Sequence, residues 1–228
     1  MIMSTIDLNK QNYKYQAVIF DLDGTLMYTL EDLYLSVNYA LRQFNLPERT
    51  FEEIRSFVGN GVKVLIDKAC PKDFNQKEEL TQVYKKRYEE TALDHIKVYE
   101  GIIELLKELH HMGIKTAIET NKFQTAVDEI YDKFFDGLID VCVGEMPPLR
   151  RKPYPDMTLK TLELLGTNKD NTLYVGDSET DVETAKNGDL YCLSCTWGFR
   201  TKKELLDGGA YHLIDKPSEI INFIKENK

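Results

Sequence analysis

Two aspartates two residues apart, Asp21 and Asp23, lie in the segment Asp21-Leu-Asp-Gly-Thr-Leu26, directly after the apolar run Tyr15-Gln-Ala-Val-Ile-Phe20. At that spacing one carboxylate can attack an electrophile while its neighbour handles a proton. Like-charge repulsion raises one pKa of such a pair, which favours Asp23 as the proton carrier. Gly24 lets the turn bring both together, since glycine tolerates backbone angles that other residues avoid. Three more polar segments carry reactive or charged groups: Thr120-Asn-Lys122, Arg150-Arg-Lys-Pro153 and Gly176-Asp-Ser-Glu-Thr-Asp181. The set suits phosphoryl transfer, in which the protein holds an electrophilic phosphorus, neutralises its oxygens and presents a nucleophile in line. Asp21 and Asp177 supply the hard oxygen ligands that magnesium takes, one or two carboxylates with waters and a phosphate oxygen. The Thr120 hydroxyl and free N–H groups at Thr120-Asn121, expected just before a helix, make an anion nest. Lys152 is expected as a mobile positive charge for the phosphate.

Each piece alone is commonplace: a D-x-D turn is usually solvated loop, and Thr-Asn-Lys an ordinary helix N-cap. Their weight comes from the elements that must position them. Tyr15 to Phe20 reads as a buried strand closed by a tight turn, and similar runs follow at Ile114 to Ile118, Gly137 to Val143, Thr172 to Gly176 and Leu190 to Cys195. Helical patterns lie between them. Gly101 to Met112 carries Ile102, Leu105, Leu106 and Leu109 on one face, with His110 and His111 in the last turn and Gly113 as the stop. Strands alternating with helices from Glu100 onward predict an α/β fold with a parallel sheet covered on both faces. In such a sheet the ligand lies outside the carboxyl ends of the strands, so the polar segments meet in one crevice.

The stretch from Leu30 to His95 breaks this rhythm, with helical patterns at Leu30 to Phe44, Asn60 to Ala69 and Gln76 to Leu93. It reads as an all-helical insertion, its Tyr34, Tyr39, Tyr84 and Tyr88 packing between helices rather than stacking bases. With 228 residues, 42% hydrophobic and 29% charged, the chain has room for one domain with a sizeable insertion or two small domains. A net charge of -9 argues against nucleic acid and anionic membrane as partners. No run is apolar and long enough for a signal peptide or a membrane span, so a cytoplasmic location is expected. Cys70, Cys142, Cys192 and Cys195 are too scattered for a disulfide scaffold, and the C-x-x-C at 192–195 falls in a strand, as two core thiols.

In order, Asp21-Leu-Asp-Gly-Thr-Leu26, Thr120, Lys152-Pro153 and Gly176-Asp-Ser-x-x-Asp181 resemble the four motifs of the haloacid dehalogenase superfamily. Phe57-Val-Gly-Asn-Gly-Val62, Val98-Tyr-Glu-Gly101, Thr120-Asn-Lys122 and Cys195-Thr-Trp-Gly-Phe-Arg200 are similar to its phosphoglycolate phosphatase branch. The resemblance implies a Rossmann-like, three-layer α/β core over residues 1–29 and 97–228 and a helical cap over 30–96. It implies Asp21 as the nucleophile that forms an aspartyl-phosphate and Asp23 as general acid and base. Magnesium would be held by Asp21, the Asp23 carbonyl and Asp177; Gly24, Thr120, Asn121 and Lys152 would hold the phosphate. Asp181 would position Lys152 or a metal-bound water, with Ser178 in support.

The implied substrate is a small phosphorylated metabolite, first 2-phosphoglycolate, with pyrophosphate, sugar phosphates and nucleotides as alternatives; the implied assembly is a monomer or homodimer. The Gly59-Asn60-Gly61 turn is expected to offer backbone N–H groups to a substrate carboxylate. Lys63, just beyond it, reads as a solvated helix lysine rather than a Schiff-base former. Asp23 argues against a dehalogenase, which needs no proton donor, and the intact aspartate pair argues against a phospho-ligand binding module that has lost catalysis. Two positions depart from the family pattern: Met27-Tyr28-Thr29 puts a phenol near the cap hinge, and Glu119 adds negative charge before Thr120.

Overall fold

The computed structural model describes residues 13–91 and 93–228. Its first strand, β1 (Ala17–Phe20), is buried on both sides. Side chains alternate across a strand, so Val18 and Phe20 join one apolar cluster while Ala17 and Ile19 join another. The chain continues through β2 (Met27–Tyr28) into four helices, α1 (Leu30–Gln43), α2 (Phe51–Phe57), α3 (Gly61–Ala69) and α4 (Lys77–Thr91), and returns as β3 (Lys97–Val98). The remaining elements are α5 (Ile102–His111), β4 (Lys115–Phe123), α6 (Gln124–Ile130), β5 (Val141–Glu145), α7 (Asp156–Leu165), β6 (Thr172–Gly176), α8 (Glu179–Asn187), β7 (Tyr191–Cys195), α9 (Lys202–Asp207), β8 (Leu213–Ile214) and α10 (Ser218–Glu226).

The sheet has the order β5-β4-β1-β6-β7-β8, and every pair in it is parallel. Helices α5, α6 and α10 cover one face through Leu105, Leu106, Val127, Ile220 and Ile224; α7, α8 and α9 cover the other through Leu162, Leu165, Ala185 and Leu205. The expected α/β class follows from this covering of both faces. Helices α1 to α4 form a third cluster around Val37, Leu41, Ile54, Leu80 and Tyr84, joined from the sheet side by Phe199. Within it Tyr84 and Tyr88 stack with ring centroids 5.8 Å apart. β2 and β3 pair antiparallel, Met27 opposite Val98 and Tyr28 opposite Lys97, so the two connections to the insertion run side by side.

Two local expectations are corrected. The strand expected from Gly137 starts only at Val141, because the chain stays helical through a π turn at Tyr131–Phe135 and Gly137 takes a left-handed turn with φ 73°. The helix expected directly after Thr120-Asn121 begins at Gln124, because β4 runs on to Phe123. That extension is held where Phe123 pairs with Glu145 and the Gly144 N–H donates to Gln124 Oε1 at 2.6 Å. No helix among the described residues is long and apolar enough to cross a membrane.

Candidate active site

Asp21 follows β1, and its N–H continues the ladder by donating to the Val175 carbonyl on β6 at 2.9 Å. Asp177 follows β6 in the same way, which places both carboxylates at the carboxyl edge of the sheet. Two glycines close around Asp177. A Cβ on Gly24, whose φ is 92°, would lie 2.3 Å from Asp177 Oδ2, and one on Gly198 would lie 2.3 Å from Asp177 Cβ. The Phe199 N–H donates to Asp177 Oδ2 at 2.6 Å. Asp181, in the first turn of α8, accepts from Ser178 N at 3.1 Å and Ser178 Oγ at 2.6 Å.

Lys152 is 3% exposed and its ammonium is fixed rather than mobile. It donates to Asp21 Oδ1 at 2.6 Å, Asp181 Oδ1 at 2.7 Å and the Glu119 carbonyl at 3.3 Å. Burial alone would lower the Lys152 pKa, but Asp181 and Asp21 carry it above the ordinary lysine range. Burial pushes Asp21 up to about 7, against the pull of Lys152 and with the push of Asp181. Burial, then the charges of Asp181 and Asp21, holds Asp177 well above the usual carboxylate range. One ligand oxygen from each of Asp21, Asp177 and Asp181 lies within 4.8 Å of the others. Three buried carboxylates against one ammonium leave uncompensated negative charge, and a hard divalent cation on oxygen ligands fits that donor set.

The Asp23 carboxylate stands apart from this cluster. Lys122 Nζ lies 2.9 Å from each of its oxygens, and Thr29 Oγ1 donates to Oδ1 at 2.6 Å. Burial would lower the Lys122 pKa, but Asp23 outweighs it and carries the group above its ordinary range. Thr120 and Asn121 line the cavity beside Asp21. The Asn121 side chain donates to the Gly59 carbonyl at 3.0 Å and the Lys152 carbonyl at 3.1 Å, tying the insertion to the Lys152 loop.

Gly59, with φ 115°, and Gly61, with φ 78°, line the same cavity from above, and Asn60 Oδ1 accepts from Thr180 Oγ1 at 3.2 Å. Leu33, Leu65, Tyr84 and Tyr88 of the insertion line it as well. Arg200 joins the two parts: it grips Glu179 at 2.8 and 3.2 Å and donates to the Arg55 and Val58 carbonyls, both at 2.9 Å. Lys63 is exposed on α3.

Sequence reasoning passed over Lys122, Thr29, Gly198 and Arg200. Lys122 stood in a motif read for its threonine and asparagine, and its partner is 99 positions away. Both departures from the family pattern find a structural place. Tyr28 packs edge-on against Tyr99 and Phe199, at 6.4 Å from each, in the paired connections. Glu119 points under the site to α7, where Thr158 Oγ1 donates to its Oε1 at 2.8 Å.

Residues 18–193 match the family model described as haloacid dehalogenase-like hydrolase. The chain is 29% identical over 211 residues to the phosphoglycolate phosphatase of Aquifex aeolicus, covering 92% of this chain and 96% of that one. Against the phosphoglycolate phosphatase of Cereibacter sphaeroides it is 34% identical over 190 residues, covering 81% and 86%. The crystal structure of a candidate phosphoglycolate phosphatase from Lactobacillus delbrueckii subsp. bulgaricus matches with a TM-score of 0.87 and 32% identity, over 92% of this chain and 98% of that one. Since the matched span holds β1, β4 and β6 with every carboxylate of the buried cluster, the chain belongs to the haloacid dehalogenase-like hydrolases.

Proposed function

We propose that the protein is a magnesium-dependent phosphatase of small phosphorylated metabolites that works through an aspartyl-phosphate at Asp21. The observation that carries this reading is the placement of Asp21: Lys152 grips one of its oxygens, Asp177 lies beside it, and Asp23 is fixed separately two residues on. Asp21 would attack phosphorus while Asp23 gives a proton to the leaving oxygen; Asp23 would then take a proton from the water that hydrolyses the acyl phosphate. Thr120 and the Lys152 ammonium would hold the phosphate oxygens, and Asp181 keeps Lys152 in place. Magnesium, held by Asp21, Asp177 and the Asp23 carbonyl, would supply further charge neutralisation of the phosphoryl oxygens. Residues 30–96 act as a cap on a core of residues 1–29 and 97–228.

Phosphoglycolate is the first substrate to test, on the names of the relatives and on the turn at Gly59-Asn60-Gly61, whose glycines let backbone N–H groups approach a carboxylate. Asp21 opens into a cavity that Gly59 and Gly61 line together with Thr120 and Arg200. With p-nitrophenyl phosphate, magnesium-dependent turnover is expected in the wild type and a loss on the order of 10⁴-fold or more in Asp21→Asn, as when a nucleophile is removed elsewhere. Turnover that survives in Asp21→Asn would sink the covalent route. A panel of metabolites ranked by kcat/KM tests the substrate, and a preference for esters without a carboxylate would overturn phosphoglycolate.

A further inference from the structure

The group that would move protons here is held by a residue with no role in the chemistry so far. Lys122 leaves the end of β4 with its side chain 4% exposed, and its ammonium spans both oxygens of Asp23 at 2.9 Å. From the other side the Thr29 hydroxyl reaches Oδ1 at 2.6 Å. Above the ammonium lies the ring of Tyr88, its centroid 4.8 Å from Nζ, and Tyr88 is itself stacked on Tyr84 within α4. The insertion therefore roofs the ion pair with aromatic rings, which attract a cation through their faces and keep water away from it. A carboxylate on a free side chain has two torsions to wander in. Gripped through both oxygens from one side and through one oxygen from the other, it has a single orientation.

We propose that Lys122 is the positioning residue for Asp23, aiming its carboxylate at the leaving-group oxygen in the first half-reaction and at the attacking water in the second. The proposal rests on the phosphatase reading above. Proton transfer depends steeply on geometry, because donor and acceptor must come within hydrogen-bond reach in the reacting complex. A loosened Asp23 would thus fail at proton delivery while Asp21, Lys152 and Asp177 stay as they are.

The experiment compares wild type with Lys122→Met, which removes the ammonium and keeps the stem, using two esters in saturating magnesium. An alkyl phosphate needs its leaving alcohol protonated; p-nitrophenyl phosphate does not. The value of kcat/KM, which reads only the steps through phosphoenzyme formation, is expected to fall about 100-fold for the alkyl ester and only a few-fold for the nitrophenyl ester, within the range of general acid catalysis. The kcat should fall for both esters, and with the nitrophenyl ester rapid quenching should show phosphoenzyme accumulating, because its formation stays fast while hydrolysis of the intermediate needs the same carboxylate. Thr29→Val, which loosens Asp23 without stranding a buried charge, should reproduce the pattern more mildly and keeps the test decisive if Lys122→Met does not fold. Equal losses of kcat/KM for the two esters, or no loss, would overturn the positioning role while leaving the phosphatase reading intact. A wild type that hydrolyses neither ester would instead remove that reading itself.

Discussion

Among single residues, Glu119 is a wholly buried acid whose surroundings disfavour its charged form. Its Oε1 is satisfied by Thr158, and Oε2 has no hydrogen-bond partner among the described residues. Burial pushes its pKa from 4.5 up to about 7, with Lys152 and Thr158 pulling the other way. The sign follows from linkage: the folded state binds this proton more tightly than the unfolded chain. The stabilising contribution of the neutral form is therefore present below about pH 4.5 and lost as pH rises through 7. A shift from 4.5 to about 7 corresponds to about 3 kcal/mol at 1.36 kcal/mol per unit. Glu119→Gln, a neutral isostere, should leave stability at pH 5 nearly unchanged and raise it at pH 8 by up to about 3 kcal/mol. Urea unfolding at the two pH values checks this, and parallel pH profiles for the two proteins would refute it. The acidic groups of the site could be named from the chain because turn chemistry and strand ends sit next to them. What Glu119 does could not, since its meaning depends on Thr158 of α7 and on which way β4 turns the side chain.

Among the elements, the long apolar runs at β1, β6 and β7 were legible because burial on both faces leaves an unbroken hydrophobic signature. β2, β3 and β8, two residues each, carry no periodicity at all, and α2 spans only seven residues. α2 is fixed instead by its ends. Thr50 and Glu53 form a capping box at its start, and Arg200, from beyond β7, donates to the Arg55 and Val58 carbonyls at its finish. A cation at a helix C-terminus satisfies carbonyls that the helix cannot. Arg200→Met should free those carbonyls and cost about 2–3 kcal/mol, the range for hydrogen bonds to charged groups. Amide exchange is expected to accelerate over residues 54–62, while β1 and β6 keep their protection. An even loss of protection across the sheet would contradict this local anchoring.

At the scale of the whole molecule, the sheet and the helical insertion have separate apolar clusters, with Phe199 and Tyr28 packing between them. The chain passes between them only through two strands of two residues that face each other as Tyr28 and Lys97. A short Gly/Ser loop replacing residues 30–96 should therefore close the gap without moving the sheet, as two-residue hairpins do. The shortened protein is expected to unfold cooperatively, retain magnesium-induced stabilisation and lose discrimination among phosphate esters. Calorimetry with and without magnesium checks the first two, and a molten transition would show that the sheet needs the helices. A segment whose ends meet is an interchangeable part. Descendant lineages can enlarge, replace or discard it while the sheet keeps its connectivity, so change in one stretch of chain leaves the strand order of the other as it was.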